Sequence, residues 1–216
     1  MKLRLLGNLI TCIALTCLIG SSAMADVTGN SNGDGGTIPD NSSTGRLSTV
    51  TITDAEVISN AHFCIEGLDH DYIGDLIVTV SHSVSGKSAT LMHRVGTTSS
   101  PTSTGDSSDV NGTYQFSDNA ASIWTEAANG DTDYVVTPGT YSASGVNESL
   151  VSLDSIFAGE TTAGVWTFNV SDNNPTQTGS FVQTSVKFTS AAVPEPGSIF
   201  ILGTLLGGVM LRRRRR

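Results

Sequence analysis

Between residues 47 and 190, apolar and polar residues alternate in short runs that are separated by Gly, Asn and Asp. The alternation is clearest at 164–170, where Trp166, Phe168 and Val170 fall on one face, as in a half-buried antiparallel strand. Strands are also predicted at 75–81 and 182–188, and more weakly at 88–93, 112–116, 122–126 and 139–142. About eight short strands without a long helical stripe predict an all-β fold, a β-sandwich.

The N-terminal segment has the composition of a secretory signal peptide. The cations Lys2 and Arg4 precede an apolar run, and small residues follow as far as Ala23 and Ala25. This order predicts export and cleavage by signal peptidase after Ala25, with residues 1–25 removed. A retained membrane anchor is the alternative, but the apolar run is short for a span of about 20 residues.

The C-terminal segment, residues 193–216, has three parts in order. The motif Pro194, Glu195 and Pro196 is followed by a short, Gly-containing apolar run and then by five arginines, which favour the cytoplasmic side of a membrane. This tail resembles the PEP-CTERM sorting signal of Gram-negative bacteria, whose Pro-Glu-Pro motif is recognised by the membrane protease exosortase. The resemblance implies that a short transmembrane segment holds the protein at the membrane until the tail is removed. Delivery to the cell surface or extracellular matrix would follow; an ordinary membrane anchor is the alternative.

The remaining chain divides into two parts by composition. Residues 26–46 are Gly, Ser, Asn and Asp with little to bury, which predicts a flexible leader, so that the folded domain is expected over 47–190. Cys12 and Cys17 leave with the signal peptide. Cys64 then has no partner for an internal disulfide, and we interpret it as a small buried side chain.

The charge of the exported part limits its partners. Residues 26–193 contain nineteen Asp and Glu against four Lys and Arg, a net charge of −15. Such a surface repels phosphates, so no nucleic acid is expected to bind.

Several blocks of the domain occur in a recognisable order. Residues 70–76 read His-Asp-Tyr-Ile-Gly-Asp-Leu, residues 157–160 read Phe-Ala-Gly-Glu, and residues 164–172 read Gly-Val-Trp-Thr-Phe-Asn-Val-Ser-Asp; a glycine turn and strand close the domain at 178–188. Together they resemble the P domain, also called Homo B, which follows the catalytic domain of subtilisin-like proprotein convertases. The resemblance implies an eight-stranded jelly roll. The late tryptophan of that family is absent, because 179–184 read Gly-Ser-Phe-Val-Gln-Thr.

Acidic residues beside the predicted turns suggest a cation site. Asp69, Asp71 and Asp75 are closely spaced, and Glu160 and Asp172 lie in the two later blocks. Calcium prefers carboxylate oxygens, and bound calcium would tie together the loops of a domain without disulfides. These five residues are therefore candidate calcium ligands, the alternative being that the acidic loops are simply solvated. No pattern requires any other cofactor.

Serine, histidine and acidic residues are present, but none lies in a Gly-x-Ser-x-Gly or subtilisin-like block. His70 is expected to have a packing role, and His62 and His82 are expected on strand surfaces. We predict no catalytic residues and a non-catalytic module for structure or protein interaction, with a separate protease as a candidate partner. The alternatives are a serine-type endopeptidase or protease-associated module, by family resemblance, and a module that binds extracellular polysaccharide through Trp124.

Overall fold

The structure is a computed structural model, which describes residues 24–97, 104–130 and 134–190. The strands in these ranges are β1 Asp26–Asn30, β2 Gly36–Ile38, β3 Ser42–Ile52, β4 Ile58–His70, β5 Leu76–His82, β6 Ser88–His93, β7 Asp109–Ser122, β8 Val135–Val136, β9 Gly139–Ser142, β10 Gly164–Asp172, β11 Gly179–Phe181 and β12 Gln183–Ser190. Two short α-helices, α1 Ile123–Ala127 and α2 Leu153–Phe157, and two 3-10 turns, Ile73–Asp75 and Val146–Glu148, lie between them. The predicted all-β fold is confirmed.

The strands form two sheets packed face to face. The large sheet has the order β1-β12-β4-β11-β2, with β7 beside β4 and with β8 and β9 beside β7. The small sheet has the order β3-β10-β5-β6. All these pairs are antiparallel except those of β7 with β8 and β9. Phe63 of the large sheet lies 5.6 Å from Trp166 and 6.0 Å from Phe168 of the small sheet, measured between ring centroids, so the two inner faces share one core.

An aromatic cluster fills the centre of this core. Phe63, Phe157, Trp166, Phe168 and Phe188 are fully buried, and their rings meet mostly edge-on or tilted. Burying an aromatic side chain of this size contributes about 1.5–3 kcal/mol. Trp166 and Phe168, which the alternation in β10 predicted to face inward, are thus part of this core.

Residues 26–46 are not a flexible leader. Strand β1 pairs with β12 and buries Val27, strand β2 pairs with β11 and buries Ile38, and β3 already begins at Ser42. Each of the two short strands needs only one inward side chain, because main-chain hydrogen bonds to its neighbour supply the rest of the interaction. A segment poor in apolar residues can therefore form strands that its composition does not indicate. The folded domain begins near Asp26.

The weak strand predicted at 122–126 is largely a helix. The Ser122 side chain accepts a hydrogen bond from the Trp124 backbone N–H and so caps the N-terminus of α1. Ile123 and Ala127, four residues apart, are both buried, as expected for one face of a helical turn.

Candidate functional sites

The ends of β4 and β10 meet at one end of the sandwich and bring a histidine onto a carboxylate. His70 Nε2 lies 3.2 Å from Asp172 Oδ2, and both side chains are fully buried. The backbone N–H of Tyr72 donates to His70 Nδ1 at 3.1 Å. Nδ1 is therefore the acceptor, and Nε2 carries the proton that is donated to Asp172. Gly179 packs on His70 so closely that it leaves no room for a side chain.

Asp75 belongs to the same buried network. Asn174 connects the two carboxylates, because its side-chain amide donates to Asp75 Oδ1 and its backbone N–H donates to Asp172 Oδ1 at 3.1 Å. Burial raises the pKa of the Asp75 carboxyl above its ordinary value, and the charge of Asp172 acts in the same direction, while the bond from Asn174 opposes both. Protein hydrogen-bond donors thus occupy oxygens of both carboxylates.

The other calcium candidates lie elsewhere. The side chains of Asp69 and Asp71 are exposed. Glu160 pairs with Lys87 at 2.6 Å, and its carbonyl receives the backbone N–H of Ile58 at the start of β4, whereas the His70 network is at the end of that thirteen-residue strand. Within the described ranges, no group of three or more His, Cys, Asp or Glu residues is arranged to hold a metal ion. Of the five candidates, the structure brings only Asp75 and Asp172 together.

His82 was expected on a strand surface, and that prediction is wrong. The ring is buried and stacks on Trp166 with 4.1 Å between centroids and an interplanar angle of 9°. The same alternation that buries Val78 and Val80 also turns residue 82 inward. The burial of His82 was therefore predictable from the sequence, because the even-numbered residues of β5 face the core.

His82 also forms a Ser–His pair. Its Nδ1 lies 3.1 Å from Ser85 Oγ, and its Nε2 lies 3.0 Å from the carbonyl oxygen of Ala163. Because a carbonyl only accepts, Nε2 donates to it and Nδ1 accepts from the serine hydroxyl. In a protease triad, the histidine nitrogen that does not face the serine donates to a carboxylate. In this pair, that nitrogen donates to the backbone carbonyl of Ala163 instead. The pair closes the β5–β6 turn, in which Ser85 Oγ also receives the Lys87 backbone N–H at 3.3 Å.

Trp124, the candidate sugar contact, is half-buried and packs against the core. Its indole N–H donates to Ser144 Oγ at 3.1 Å. A nearby surface cavity of about 360 Å³ is lined by Ser122, Ser142, Glu148, Leu150 and their neighbours. The indole is thus hydrogen-bonded within the protein.

A polar row on the outer face of the large sheet was missed by the sequence analysis. Strand registers align the following residues across β1, β12, β4, β7 and β9: Asn30, Ser185, Cys64, Gln115 and Thr140. A cavity of about 370 Å³ lies over the first four of these strands, with His62, Glu66 and Lys187 also in its wall. Burial raises the pKa of the Cys64 thiol. The row depends on the register of distant strands, so no local sequence pattern could reveal it.

The two ends of the described domain lie side by side. The backbone N–H of Ser190 donates to the carbonyl oxygen of Ala25 at 2.8 Å, and the Ala25 N–H donates to Ser190 Oγ at 3.1 Å. Lys187 of β12 and Asp26 of β1 form an ion pair at 2.9 Å. Ala25 is the predicted cleavage residue. Ala23 and the motif Pro194, Glu195 and Pro196 lie outside the described residues.

Comparison with known families identifies the tail. Residues 192–216 match the PEP-CTERM protein-sorting motif. The chain therefore carries this sorting signal, which implies export, processing by signal peptidase and exosortase, attachment to the membrane during processing and then delivery to the surface. In the part of the chain that the structure describes, no helix is long and apolar enough to cross a membrane, and the segment predicted to do so lies outside it.

No curated protein matches the chain. The solved structures that resemble it include a serine protease of Aeromonas sobria in complex with the chaperone ORF2, and a serine protease of Aeromonas sobria alone. The first has 15% sequence identity and a TM-score of 0.47 and covers 79% of this chain and 28% of that chain. The second has 14% identity and a TM-score of 0.46 and covers 78% and 27%. This chain thus spans little more than a quarter of the protease chain.

Proposed function

We propose that the protein is a non-catalytic, P-domain-like surface module of a Gram-negative bacterium, which acts in structure or protein interaction. Its signal peptide is removed after Ala25, and its tail is removed by exosortase near Pro194–Pro196. The observation that carries this proposal is the pairing of β1 with β12, because both processing segments then connect to adjacent strands of one sheet. The sorting motif begins at residue 192, two residues after Ser190. We take the folded module to be residues 26–190 and expect it to remain folded after both segments are removed, because the β1–β12 pairing from Asp26 onward does not depend on them.

The hydrogen bonds of the buried histidines support a non-catalytic role. A general base must reach the proton that it abstracts from the substrate. Both ring nitrogens of His70 and of His82 are engaged within the protein, and both rings are buried. Their bonds stabilise the end of β4 and the β5–β6 turn. The histidines therefore serve the fold.

The motif blocks support the comparison with a P domain. The block that includes His70 ends β4 and begins β5, and the block that includes Trp166 is β10. These strands provide the buried histidine–aspartate pair and part of the aromatic core, so the resemblance rests on residues that build the sandwich. In convertases such a domain accompanies a separate catalytic domain, and a protease encoded elsewhere is accordingly a candidate partner of this module.

Mass spectrometry of both termini tests the sorting part of the proposal. We expect protein from wild-type cells to begin at Asp26 and to end near Pro194, and protein from cells lacking exosortase to keep residues 197–216. An intact C-terminus in both strains would mean that the tail is a permanent anchor. An N-terminus upstream of Asp26 would place the signal cleavage elsewhere.

Peptide cleavage assays test the non-catalytic part. The purified protein is expected to leave a peptide library uncut, and Ser85→Ala should behave like the control Ser81→Ala, a serine on the outer face of the same hairpin. Cleavage that disappears in Ser85→Ala or His82→Ala and persists in the control would instead identify an endopeptidase.

A further inference from the structure

The outer face of the large sheet presents an uncharged row of hydrogen-bonding groups. Asn30, Ser185, Cys64, Gln115 and Thr140 follow one another across five neighbouring strands. Adjacent strands lie about 4.8 Å apart, so the row extends for about 19 Å. Its groups are evenly spaced, and the cavity of about 370 Å³ lies along the row. Small-molecule sites commonly have volumes of about 300–1,000 Å³.

The charged side chains beside this row are already engaged in contacts within the protein. Glu66 accepts hydrogen bonds from the side chains of Gln183 at 2.6 Å and Ser185 at 2.9 Å, and Lys187 pairs with Asp26. The carboxamides of Asn30 and Gln115 thus remain the main polar groups of the row. Elsewhere the domain is strongly acidic, with a net charge of −15 over residues 26–193. An anionic polymer is repelled by such a domain, whereas a neutral ligand is not.

We infer that this face binds a neutral oligosaccharide chain that crosses the strands, with Gln115 and Asn30 as its principal contacts. Sugar hydroxyls both donate and accept hydrogen bonds, and the Gln115 carboxamide offers both functions in return. The Asn30 Oδ1 already accepts the Asn32 backbone N–H at 3.0 Å, so Asn30 contributes chiefly its amide donor. The hydroxyl of Thr140 extends the contact on one side. Because Ser185 donates to Glu66, its oxygen is available to accept. A row of equally spaced groups suits a ligand with a repeating unit. The inference rests on the proposed function, since a surface module meets extracellular polysaccharide.

This location differs from the one predicted around Trp124. The indole N–H is already bonded to Ser144, and the ring packs against the core. The sheet face instead carries Cys64 in the cavity wall, and its partly exposed thiol provides a built-in reporter of occupancy.

Protection of Cys64 from alkylation tests the inference. The full chain, purified in a sugar-free detergent, is treated with iodoacetamide at alkaline pH, where a thiol of raised pKa reacts, and the Cys64 peptide is followed by mass spectrometry. The probes are cellohexaose, maltohexaose, xylohexaose and chitohexaose, with polygalacturonate as the anionic comparison. At least one neutral hexaose should slow the alkylation of Cys64 several-fold, and polygalacturonate should not.

Two glutamine variants provide the matched comparison. Gln115→Ala should weaken hexaose binding by about tenfold, the loss expected for a good hydrogen bond. Gln177→Ala, at a loop remote from the row, should leave binding unchanged. Absence of binding by all four hexaoses, equal protection by polygalacturonate, or binding that survives Gln115→Ala and disappears in Trp124→Ala would each overturn the inference. If a neutral hexaose protects Cys64 but mass spectrometry finds the same intact termini in both strains, the sorting proposal is rejected and the binding inference stands.

Discussion

Replacing Asp172 by alanine should lower the free energy of unfolding more than the loss of an exposed carboxylate does. The Asp172 side chain is fully buried and accepts from His70 Nε2 at 3.2 Å and from the Asn174 backbone N–H at 3.1 Å. Each of these donors would be left without its acceptor, and a buried unpaired donor costs about 1–3 kcal/mol. We therefore expect Asp172→Ala to lower the free energy of unfolding by about 2–5 kcal/mol.

Urea unfolding followed by tryptophan fluorescence measures this loss. With a slope of about 1–3 kcal/mol per molar urea, the midpoint should fall by about 1 M or more. Asp71→Ala, which removes an exposed carboxylate from the adjacent turn, should change the free energy by no more than about 0.5 kcal/mol. Asp172→Asn keeps an acceptor for His70 and should lie between the two. Equal midpoints for Asp172→Ala and Asp71→Ala would refute the reasoning.

The same assay separates an internal network from a calcium site. A ligand that binds only the folded state raises the unfolding free energy. Because donors from Asn174 and His70 already occupy oxygens of Asp75 and Asp172, we expect neither calcium nor a chelator to move the midpoint. A rise with calcium that is absent in Asp172→Asn would support the calcium ligands predicted from the sequence.

Three further predictions concern pH and processing. Burial raises the pKa of Tyr114 to about 12 from an ordinary value of 10.0, so stability should be lost as the pH rises from 10 towards 12. Tyr114→Phe should flatten that loss in alkaline urea titrations, and an unchanged slope would contradict the assignment. Because burial also raises the pKa of Asp75, its protonation favours the folded state, and stability from this group should increase as the pH falls through the raised value towards 3.8. Asp75→Asn should show a smaller increase than the wild type in urea midpoints at neutral and acidic pH, and an equal increase would assign the effect to other carboxylates. Finally, the Ser190 backbone N–H donates to the Ala25 carbonyl at the predicted cleavage bond, so signal peptidase should cut the refolded precursor slowly. The variant Ser190→Pro lacks this N–H donor, and its precursor should be cut faster than that of Ser190→Ala. Equal cleavage rates by mass spectrometry would show that this pairing does not protect the bond.

Local patterns were sufficient where a strand carries its own alternation. The strands at 88–93 and 139–142 were predicted with the bounds that they have in the structure, and those at 75–81, 164–170 and 182–188 differ by one or two residues at either end. The inward residues of these strands face a common core, so the apolar period shows directly in the sequence. The sorting tail was predictable for a similar reason, since its three parts are contiguous.

Tertiary structure decided everything that depends on pairing between distant segments. Strands β1 and β2 have one buried side chain each, and they exist because β12 and β11 supply hydrogen-bond partners about 140–165 residues away. Likewise, His70 meets Asp172, and Gln115 aligns with Asn30, only through the registers of the folded sheets. Composition and spacing determined the class of fold and the route of export. The positions of polar groups relative to one another, and hence the candidate binding face, followed from long-range strand register, which no local sequence pattern encodes.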